Sequence, residues 1–262
     1  MLISLNSKVA FVCGASQGIG KAIAYQFALA GAKVILLARN EENLSKNVFE
    51  LRQKTGIEHS YICCDISNQN DLESKVKHIL EQNQSIDVLV NNTGGPAPGK
   101  LTDAELEDFQ KAFAQHILSA QLLVKLLLPG MISKNFGRII NIVSVGMRQP
   151  IDNLGVSNTI RGAMGSWAKT LSREVAPYGI TVNNILPGYT ATERLQFLLE
   201  QTAFRNNTSY DMELNKILER IPAKRLGSPD EIAYLATFLA SDYASYINGA
   251  SIPVDGGFLF CI

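Results

Sequence analysis

The sequence predicts an α/β protein built on a doubly wound parallel sheet of about seven strands with helices on both faces. Short apolar runs recur along the chain, and segments with helical periodicity separate most of them. The runs show little alternation of apolar and polar residues, which indicates strands that are covered on both faces. A glycine-rich turn joins the first run to the first helical segment, as in a right-handed crossover between parallel strands.

Each apolar run is predicted to form a strand. The runs are residues 8–13, 33–38, 59–64, 86–91, 137–143, 180–185 and 250–254. Because parallel strands end along one edge of the sheet, we expect ligand binding and chemistry at that edge. From about residue 190 to residue 226 the chain has no strand signal, which predicts a helical lid over the site.

The composition predicts a single domain, residues 1–262, with small-molecule partners. Basic and acidic residues balance at 24 each, which argues against nucleic acid or an anionic membrane as the main partner. The four cysteines lack zinc spacing, so we expect reduced thiols, a cytoplasmic location and no metal site. The most apolar segment, residues 117–132, is interrupted by Gln121, Lys125 and Pro129, and we expect no membrane span or targeting signal.

The most informative motif is the glycine-rich turn Gly14-Ala-Ser-Gln-Gly-Ile-Gly20, which follows the first predicted strand. Glycines in such a turn let the backbone approach a pyrophosphate closely, and the N–H groups that start the next helix point at its charge. The second strand follows within about 30 residues and completes a βαβ unit. The motif therefore predicts a dinucleotide-binding Rossmann fold; glycines that serve only the geometry of the turn are the alternative.

The end of the second predicted strand bears on the choice of cofactor. An acidic side chain there would accept a hydrogen bond from the ribose 2′-hydroxyl of NAD(H), but this chain has Arg39. A guanidinium group offers a fork of donors to a 2′-phosphate, so Arg39 favours NADP(H) over NAD(H). The alternative is a solvated arginine beside Glu41 and Glu42 at a helix start.

Over essentially its full length the chain resembles the short-chain dehydrogenases/reductases. The motifs that carry the resemblance are the glycine turn, Cys64-Asp-Ile66, Asn91-Asn-Thr-Gly94, Ser144 after a strand, Pro187-Gly188, Asn248-Gly249 and Val254-Asp-Gly-Gly257. Residues 173–183 and 228–233 are most similar to the branch that contains the 3-oxoacyl-carrier-protein reductases. The resemblance implies an oxidoreductase that interconverts a carbonyl and an alcohol.

The family pattern also implies a set of cofactor contacts along the edge of the sheet. The glycine turn would hold the pyrophosphate and the adenosine ribose, and the segment after the sixth strand would lie against the nicotinamide. The implied contacts are Gly14, Ser16, Gln17, Gly18, Ile19, Gly20, Arg39, Asp65, Ile66, Asn91, Thr93, Gly94, Arg161, Pro187, Gly188 and Thr190. At Asn91 and Asn92 the alternative is a turn that only stabilises the central sheet.

The sequence departs from the family pattern at the catalytic centre. Ser157 and Arg161 stand thirteen and seventeen residues after Ser144, where typical members have a tyrosine and a lysine. The tyrosine is the general acid of the family, and a serine alcohol is a far weaker acid. Losing a positioned general acid costs about a hundredfold to ten-thousandfold in rate. Ser144 keeps the position that polarises the substrate oxygen.

Two residues are candidates to take over the missing functions. Arg161 shares a helix face with Ser157 and carries a charge that suits the nicotinamide ribose or a developing oxyanion; an arginine at a subunit contact is the alternative. His116 aligns with the family's relay asparagine and could carry a proton; a packed structural histidine is the alternative. Tyr189 and Tyr210, in or beside the predicted lid, are further candidate acids.

These observations predict an NADP(H)-dependent oxidoreductase whose candidate catalytic residues are Ser144, Arg161, Ser157 and His116. Its substrate would be a small-molecule carbonyl or alcohol, with an acyl thioester among the candidates. A binding or regulatory protein that keeps the dinucleotide site without catalysis is the alternative, and a non-redox enzyme on the same fold is a third. The resemblance implies a homotetramer, or a homodimer, formed through the fourth and fifth helices and residues 254–257.

Overall fold

The computed structural model describes residues 3–82 and 85–261. Within these residues seven parallel strands form one sheet in the order β3-β2-β1-β4-β5-β6-β7. The strands are β1 (Val9–Cys13), β2 (Lys33–Ala38), β3 (Ser60–Cys63), β4 (Val88–Asn91), β5 (Gly137–Ile142), β6 (Ile180–Pro187) and β7 (Ser251–Val254). The predicted fold class is confirmed, and each predicted strand ends within two residues of the observed one.

The described residues form nine α-helices. They are α1 (Gly18–Leu29), α2 (Glu41–Thr55), α3 (Gln69–Glu81), α4 (Leu106–Phe113), α5 (Ser119–Ser133), α6 (Gly155–Val175), α7 (Glu193–Asn206), α8 (Tyr210–Arg220) and α9 (Pro229–Ala240). A π-helical turn, Ala114–Leu118, joins α4 to α5. Helices α7 and α8 occupy the segment in which the sequence shows no strand signal.

The strands are apolar throughout because helices cover both of their faces. In β1, Ala10 and Val12 pack into a core with α1, α2 and α9, whereas Phe11 and Cys13 pack into a second core with α3, α5 and α6. All four side chains are fully buried. Full burial of a large apolar side chain contributes about 1.5–3 kcal/mol, so the two cores fix the sheet between its helical layers.

The helical run Leu106–Ser133 passes a test for a membrane span by length and composition, with a mean hydropathy of 1.4. In the structure Leu123, Leu127 and Met131 of this run are buried in the second core. A core helix passes the same test, so the run is weak evidence for a membrane span. Packing against the sheet accounts for these buried residues of the run.

The order of the strands reverses between β1 and β4, because β2 and β3 lie on one side of β1 and β4 to β7 lie on the other. The crossovers therefore diverge at this point and leave a crevice beyond the carboxyl ends of the two strands. Ligands of doubly wound sheets bind in such a crevice. The glycine turn follows β1 and residues 92–94 follow β4, so both motifs lie at the crevice.

Candidate functional site

The glycine turn forms one wall of the crevice, between β1 and α1. Gly14 and Gly18 have φ angles of +62° and +56°, which residues with a Cβ rarely adopt. A Cβ on Gly20 would collide with the carbonyl oxygen of Gly14. The three glycines therefore allow a tight turn whose backbone is accessible to a ligand.

The start of α1 is suited to an anion. No side chain caps the helix at Gln17, and its first turn contains no acidic residue. By contrast, α2 is capped by Asn40, whose Oδ1 accepts a hydrogen bond from the N–H of Asn43 at 2.9 Å. The first N–H groups of α1 are therefore left to a ligand, and the helix dipole favours negative charge there. A pyrophosphate fits this arrangement.

Two asparagine side chains hold the backbone of the turn in place. Asn92 Nδ2 donates to the carbonyl oxygens of Cys13 at 3.2 Å and Gly14 at 3.4 Å. From the other side, Asn47 Nδ2 donates to the carbonyl oxygen of Ser16 at 3.0 Å. Asn47 was not predicted from the sequence. It lies on the buried face of α2, and the helical pattern of the sequence does not distinguish a buried asparagine from an exposed one.

Arg39 and Asp65 lie at the far end of the crevice, after β2 and β3. Ser67 donates to Asp65 Oδ1 through its N–H at 2.9 Å and its hydroxyl at 2.7 Å. These hydrogen bonds lower the pKa of Asp65, and the charge of Arg39 contributes. Arg39 is exposed and has no carboxylate partner within 4.0 Å among the described residues, so its guanidinium is available for a phosphate.

Ser144 lies at the edge of the sheet two residues after β5. Its Oγ accepts a hydrogen bond from the N–H of Gly146 at 3.0 Å. That bond uses a lone pair of the oxygen and leaves the hydroxyl proton free to be donated. The geometry suits a residue that donates a hydrogen bond to a substrate oxygen.

Arg161 and Ser157 lie one turn apart on α6, and both are partly buried. Arg161 Nη1 donates to the carbonyl oxygen of Ile142 at 3.0 Å, which ties α6 to the end of β5. Burial lowers the pKa of Arg161 to about 10, so the guanidinium is still charged at neutral pH. The structure therefore brings a partly buried cation to the same strand end that carries Ser144.

His116 lies in the π-helical turn and is buried. Its Nδ1 lies 2.7 Å from Thr93 Oγ1, and the adjacent Gln115 donates to the carbonyl oxygen of Gly94 at 3.1 Å. Burial lowers the pKa of His116 to about 3, and the charge of Arg161 contributes. The ring is therefore neutral at pH 7, where it can relay a proton but holds no extra one.

A small cavity of about 10 Å³ joins several of the predicted site residues. Its lining consists of Ile66, Asn91, Thr93, His116, Ser119, Ile142, Arg161 and Met164. The volume is close to the roughly 10–15 Å³ that one water requires. Asn91 Oδ1 is buried without a hydrogen-bond partner, which makes it an acceptor for such a water.

The unpartnered oxygen of Asn91 is the end of a ladder of side chains across the sheet. Asn91 Nδ2 donates to Asn141 Oδ1 at 2.8 Å, Asn141 Nδ2 to Asn184 Oδ1 at 2.9 Å, and Asn184 Nδ2 to Ser251 Oγ at 3.0 Å. The ladder fixes the orientation of the Asn91 amide, and Asn91 lines the cavity. Sequence reasoning missed Asn141 and Asn184, because the register of the strands is not visible in the chain.

The segment at the end of β6 borders the crevice. The family pattern implies that this segment lies against the nicotinamide. The N–H of Gly188 donates to the carbonyl oxygen of Val254 at 3.0 Å, and Thr190 Oγ1 donates to the carbonyl oxygen of Gly188 at 3.2 Å. A Cβ on Gly188 would lie 2.8 Å from atoms of Asp255. Residues 187–190 are thus held firmly against β7.

Tyr189 and Tyr210, the two candidate acids near the predicted lid, lack the features of an activated general acid. Tyr189 packs edge-on against Phe258, with 5.3 Å between ring centroids, and burial raises its pKa. A general acid of the family type has a lowered pKa. Tyr210 begins α8 and does not line the small cavity.

The start of α7 contacts both walls of the crevice. A Cβ on Gly18 would lie 3.5 Å from the Thr192 methyl group. Arg194 Nη2 donates to the carbonyl oxygens of Gly95 at 3.2 Å and Pro96 at 3.1 Å, in the loop after β4. The start of α7 therefore lies between the glycine turn and the loop after β4.

Comparisons with known proteins bear on the family. A sequence model described as enoyl-(acyl carrier protein) reductase matches residues 14–259. The chain belongs to the short-chain dehydrogenase/reductase family. It is 36% identical over 255 residues to the NADPH-dependent reductase BacG of Bacillus subtilis, which covers 97% of this chain and 98% of that protein.

Two further relatives are similar over nearly all of their length. The 3-oxoacyl-[acyl-carrier-protein] reductase FabG of Vibrio cholerae is 35% identical over 257 residues, 97% of this chain and 98% of that protein. The crystal structure of L-sorbose reductase from Gluconobacter frateurii, complexed with NADPH and L-sorbose, superposes with a TM-score of 0.95 and 31% identity, covering both chains completely. The resemblance to the family is confirmed; the roles of individual site residues remain predictions.

Proposed function

We propose that this protein is an NADPH-dependent oxidoreductase that reduces a carbonyl to an alcohol without the family's tyrosine acid. One observation carries the proposal. Ser144, with a hydroxyl proton free to donate, and Arg161, a charged guanidinium, lie at the end of β5, and the uncapped start of α1 opens on the same edge of the sheet. An anion-binding helix start beside an oxygen-polarising pair suits dinucleotide-dependent carbonyl chemistry.

The proposed cofactor is NADPH. The glycine turn and the start of α1 would hold the pyrophosphate, Arg39 the 2′-phosphate, and residues 187–190 the nicotinamide. Relatives support the choice, since the B. subtilis protein is named as NADPH-dependent and the L-sorbose reductase structure contains NADPH. When bound, NADPH supplies the hydride for the carbonyl carbon.

Two side chains would then stabilise the oxygen of the substrate. Ser144 donates its hydroxyl hydrogen bond to the carbonyl oxygen and orients the carbonyl carbon toward the cofactor. Arg161 neutralises the negative charge that grows on that oxygen as the carbon–oxygen double bond opens. One well-placed donor of this kind contributes about a hundredfold to a thousandfold in rate. Ser157 contributes shape to the site rather than a proton, because its alcohol is a weak acid.

The proton that completes the alcohol comes from water in this proposal. The small cavity brings the unpartnered oxygen of Asn91, the neutral ring of His116 and the guanidinium of Arg161 around a space for one water. His116 and Thr93, hydrogen-bonded to each other, would pass a proton from solvent through that water. The carbonyl carbon gains a hydride, the oxygen gains a proton, and solvent supplies the proton.

A second candidate is reduction of a carbon–carbon double bond conjugated to a carbonyl. Hydride addition to such a bond leaves an enolate, which needs a cation at its oxygen more than an immediate proton. Arg161 fits that requirement without a tyrosine, and the matching family model is described as an enoyl reductase. Both candidates use the same residues and differ in the atom that accepts the hydride.

We further propose a cytoplasmic homotetramer, or a homodimer, that contacts its copies through α5 and α6. Leu122, Leu126 and Trp167 are only partly buried by their own chain, and Leu118 is 44% exposed. These side chains leave an apolar strip at the surface of the two helices. Light scattering at micromolar protein tests the assembly, and a monomeric mass contradicts it.

The test of the proposed function is NADPH oxidation across a panel of substrates. The panel contains oxo acids, their esters, oxoacyl thioesters, diketones and conjugated enoyl thioesters, and NADPH binding is titrated by its fluorescence. We expect tight NADPH binding and turnover of at least one class, lost in Ser144→Ala and Arg161→Met. Binding of NADPH without turnover of any class would contradict the proposal and favour a binding or regulatory protein.

A further inference from the structure

Two arginine side chains lie close to Gly95, in the loop after β4. Arg161 approaches Gly95 from inside the protein, and its Nη2 lies 3.8 Å from the position that a Cβ on Gly95 would take. Arg194 approaches from α7 and donates to the carbonyl oxygen of Gly95 at 3.2 Å. The two guanidinium groups come from different helices, α6 and α7.

Neither guanidinium has an anionic partner in the part of the chain that the structure describes. The ion pairs found there use other residues, such as Arg225 with Glu231 and Arg52 with Glu58, each at 2.7 Å. Arg161 and Arg194 donate only to neutral backbone carbonyls. Two cations without a counter-ion, one of them partly buried, produce a positive potential that favours an anionic ligand.

The positive potential reaches a neighbouring group. The charge of Arg161 contributes to the low pKa of His116, although burial is the larger cause. The loop beside Arg161 carries no side chain at two consecutive positions: a Cβ on Gly94 would have no atom within 4 Å, and a Cβ on Gly95 would lie 3.8 Å from Arg161 Nη2. The position next to Arg161 Nη2 that a side chain of residue 95 would take is therefore left open.

The position of Arg194 favours the substrate over the cofactor as the source of the anion. The pyrophosphate is expected at the glycine turn, where Thr192 lies 3.5 Å from the position of a Cβ on Gly18. Arg194 reaches the other way, to the carbonyl oxygens of Gly95 and Pro96. Its guanidinium thus lies at the loop across from the glycine turn, on the side where the substrate would enter.

We propose that Arg194, together with Arg161, binds a carboxylate of the substrate, so that the enzyme prefers oxo acids to neutral ketones and thioesters. The proposal rests on the proposed function, because it names the substrate class of the same site. Arg194 donates to the carbonyl oxygen of Gly95, and Arg161 Nη2 lies near the same residue, so a carboxylate held there and the carbonyl oxygen would belong to neighbouring groups of one small molecule. A 2-oxo or 3-oxo acid has this arrangement, whereas an acyl thioester has no charge near its carbonyl.

The test compares acids with their esters in matched variants. Wild type, Arg194→Met, Arg194→Lys and the control Arg205→Met are assayed with pyruvate and acetoacetate and with the methyl esters of both. Arg205 is an exposed arginine at the other end of α7, so its loss tests the effect of charge on the same helix. We expect Arg194→Met to raise KM for the acids by about tenfold to a hundredfold, with partial rescue in Arg194→Lys. The esters and the control should change by less than about threefold.

The dissociation constant of NADPH separates the two sources of negative charge. If Arg194→Met weakens NADPH binding and slows acids and esters equally, Arg194 serves the cofactor pyrophosphate and the proposal is wrong. Equal loss for acids and esters with unchanged NADPH binding also overturns it. A carboxylate-specific loss with unchanged NADPH binding supports it.

A binding experiment separates this proposal from the proposed function. Butanoate, which has the carboxylate but no carbonyl to reduce, is titrated into the complex with NADPH, and thermal unfolding is measured for wild type and Arg194→Met. Stabilisation that depends on Arg194 supports the carboxylate site even if no substrate in the panel is reduced. Turnover of neutral substrates only, with no stabilisation by butanoate, overturns the carboxylate site and leaves the proposed function intact.

Discussion

The two ends of the crevice use their residues in different ways. At the glycine turn we propose that the backbone binds the ligand: positive φ angles and an uncapped helix start shape the site, and Asn47 and Asn92 hold the turn in place. At the end of β5 the proposed roles belong to side chains, the hydroxyl of Ser144 and the charge of Arg161. A backbone site changes little when the chemistry of side chains changes, so one end can keep the family pattern while the other departs from it.

The largest expected effect comes from the backbone end. Gly20→Ala places a methyl group against the carbonyl oxygen of Gly14. The turn must therefore open, and the N–H groups of α1 would no longer point at the pyrophosphate. We expect NADPH binding to weaken by about a thousandfold, near 4 kcal/mol. The measurement is a fluorescence titration with NADPH, with circular dichroism to verify the fold.

Gly162→Ala is the matched control, because Gly162 is also a helical glycine, it is not among the implied cofactor contacts, and a Cβ there has no atom within 4 Å. Its NADPH affinity should stay within about threefold of wild type. A folded Gly20→Ala protein that binds NADPH normally would remove the glycine turn from the cofactor site.

The next effect belongs to the side-chain end. Arg161→Met keeps much of the length of the side chain but removes its charge, so the developing oxyanion loses its cation. We expect kcat to fall by about a hundredfold to a thousandfold, with a smaller change in NADPH affinity. Arg161→Lys restores the charge and should recover part of the rate. Equal kcat in Arg161→Met and wild type would mean that the charge takes no part in the reaction.

His116 is expected to make the free energy of unfolding depend on pH. Its folded pKa, about 3, lies below the ordinary value of about 6.5. Between these values the unfolded chain binds a proton that the folded chain does not, so stability is complete above about pH 6.5 and falls as the pH is lowered.

Replacing the ring should remove that dependence. We expect wild type to lose about 2 kcal/mol more than His116→Gln between pH 7.5 and pH 5. Urea unfolding of both proteins at the two pH values measures the difference. Parallel losses in the two proteins would show that His116 is not held neutral by burial.

Arg39 carries the smallest expected effect, since it is exposed to solvent. Removing it in Arg39→Ala takes away one charge-assisted contact to the 2′-phosphate, worth about 1.5 kcal/mol, or roughly tenfold in affinity. NADH lacks that phosphate and is the internal control. The measurement is a titration of wild type and Arg39→Ala with both cofactors. An equal change in the dissociation constants of NADH and NADPH would show that Arg39 does not select for the 2′-phosphate.

The sequence predicts the backbone end of the crevice well, for a physical reason. Glycine spacing, strand hydrophobicity and helix starts are local properties, so the turn at Gly14 and the seven strands are visible in the chain. The amide ladder from Asn91 and the contact of Arg194 with Gly95 join residues that are far apart in sequence. Such contacts depend on register and on helix placement, which local patterns do not contain.

The side-chain end was predicted only in part. Counting residues from Ser144 predicts that Ser157 and Arg161 stand in place of the family's tyrosine and lysine, and the structure adds that Arg161 is tied to Ile142 at the end of β5. The neutral state of His116 was not visible, because it depends on burial and on the nearby guanidinium. Charge state at a site is a property of packing, and packing is the part that a sequence pattern leaves open.

One measurement tests the central claim most directly: the rate of hydride transfer in a single turnover, for Ser144→Ala, Ser157→Ala and wild type with saturating NADPH. The claim is that Ser144 acts on the substrate oxygen and that Ser157 does not replace the tyrosine acid. It predicts a loss of about a hundredfold in Ser144→Ala and a change of less than about threefold in Ser157→Ala. A loss in Ser157→Ala as large as in Ser144→Ala would contradict it and make Ser157 the proton donor.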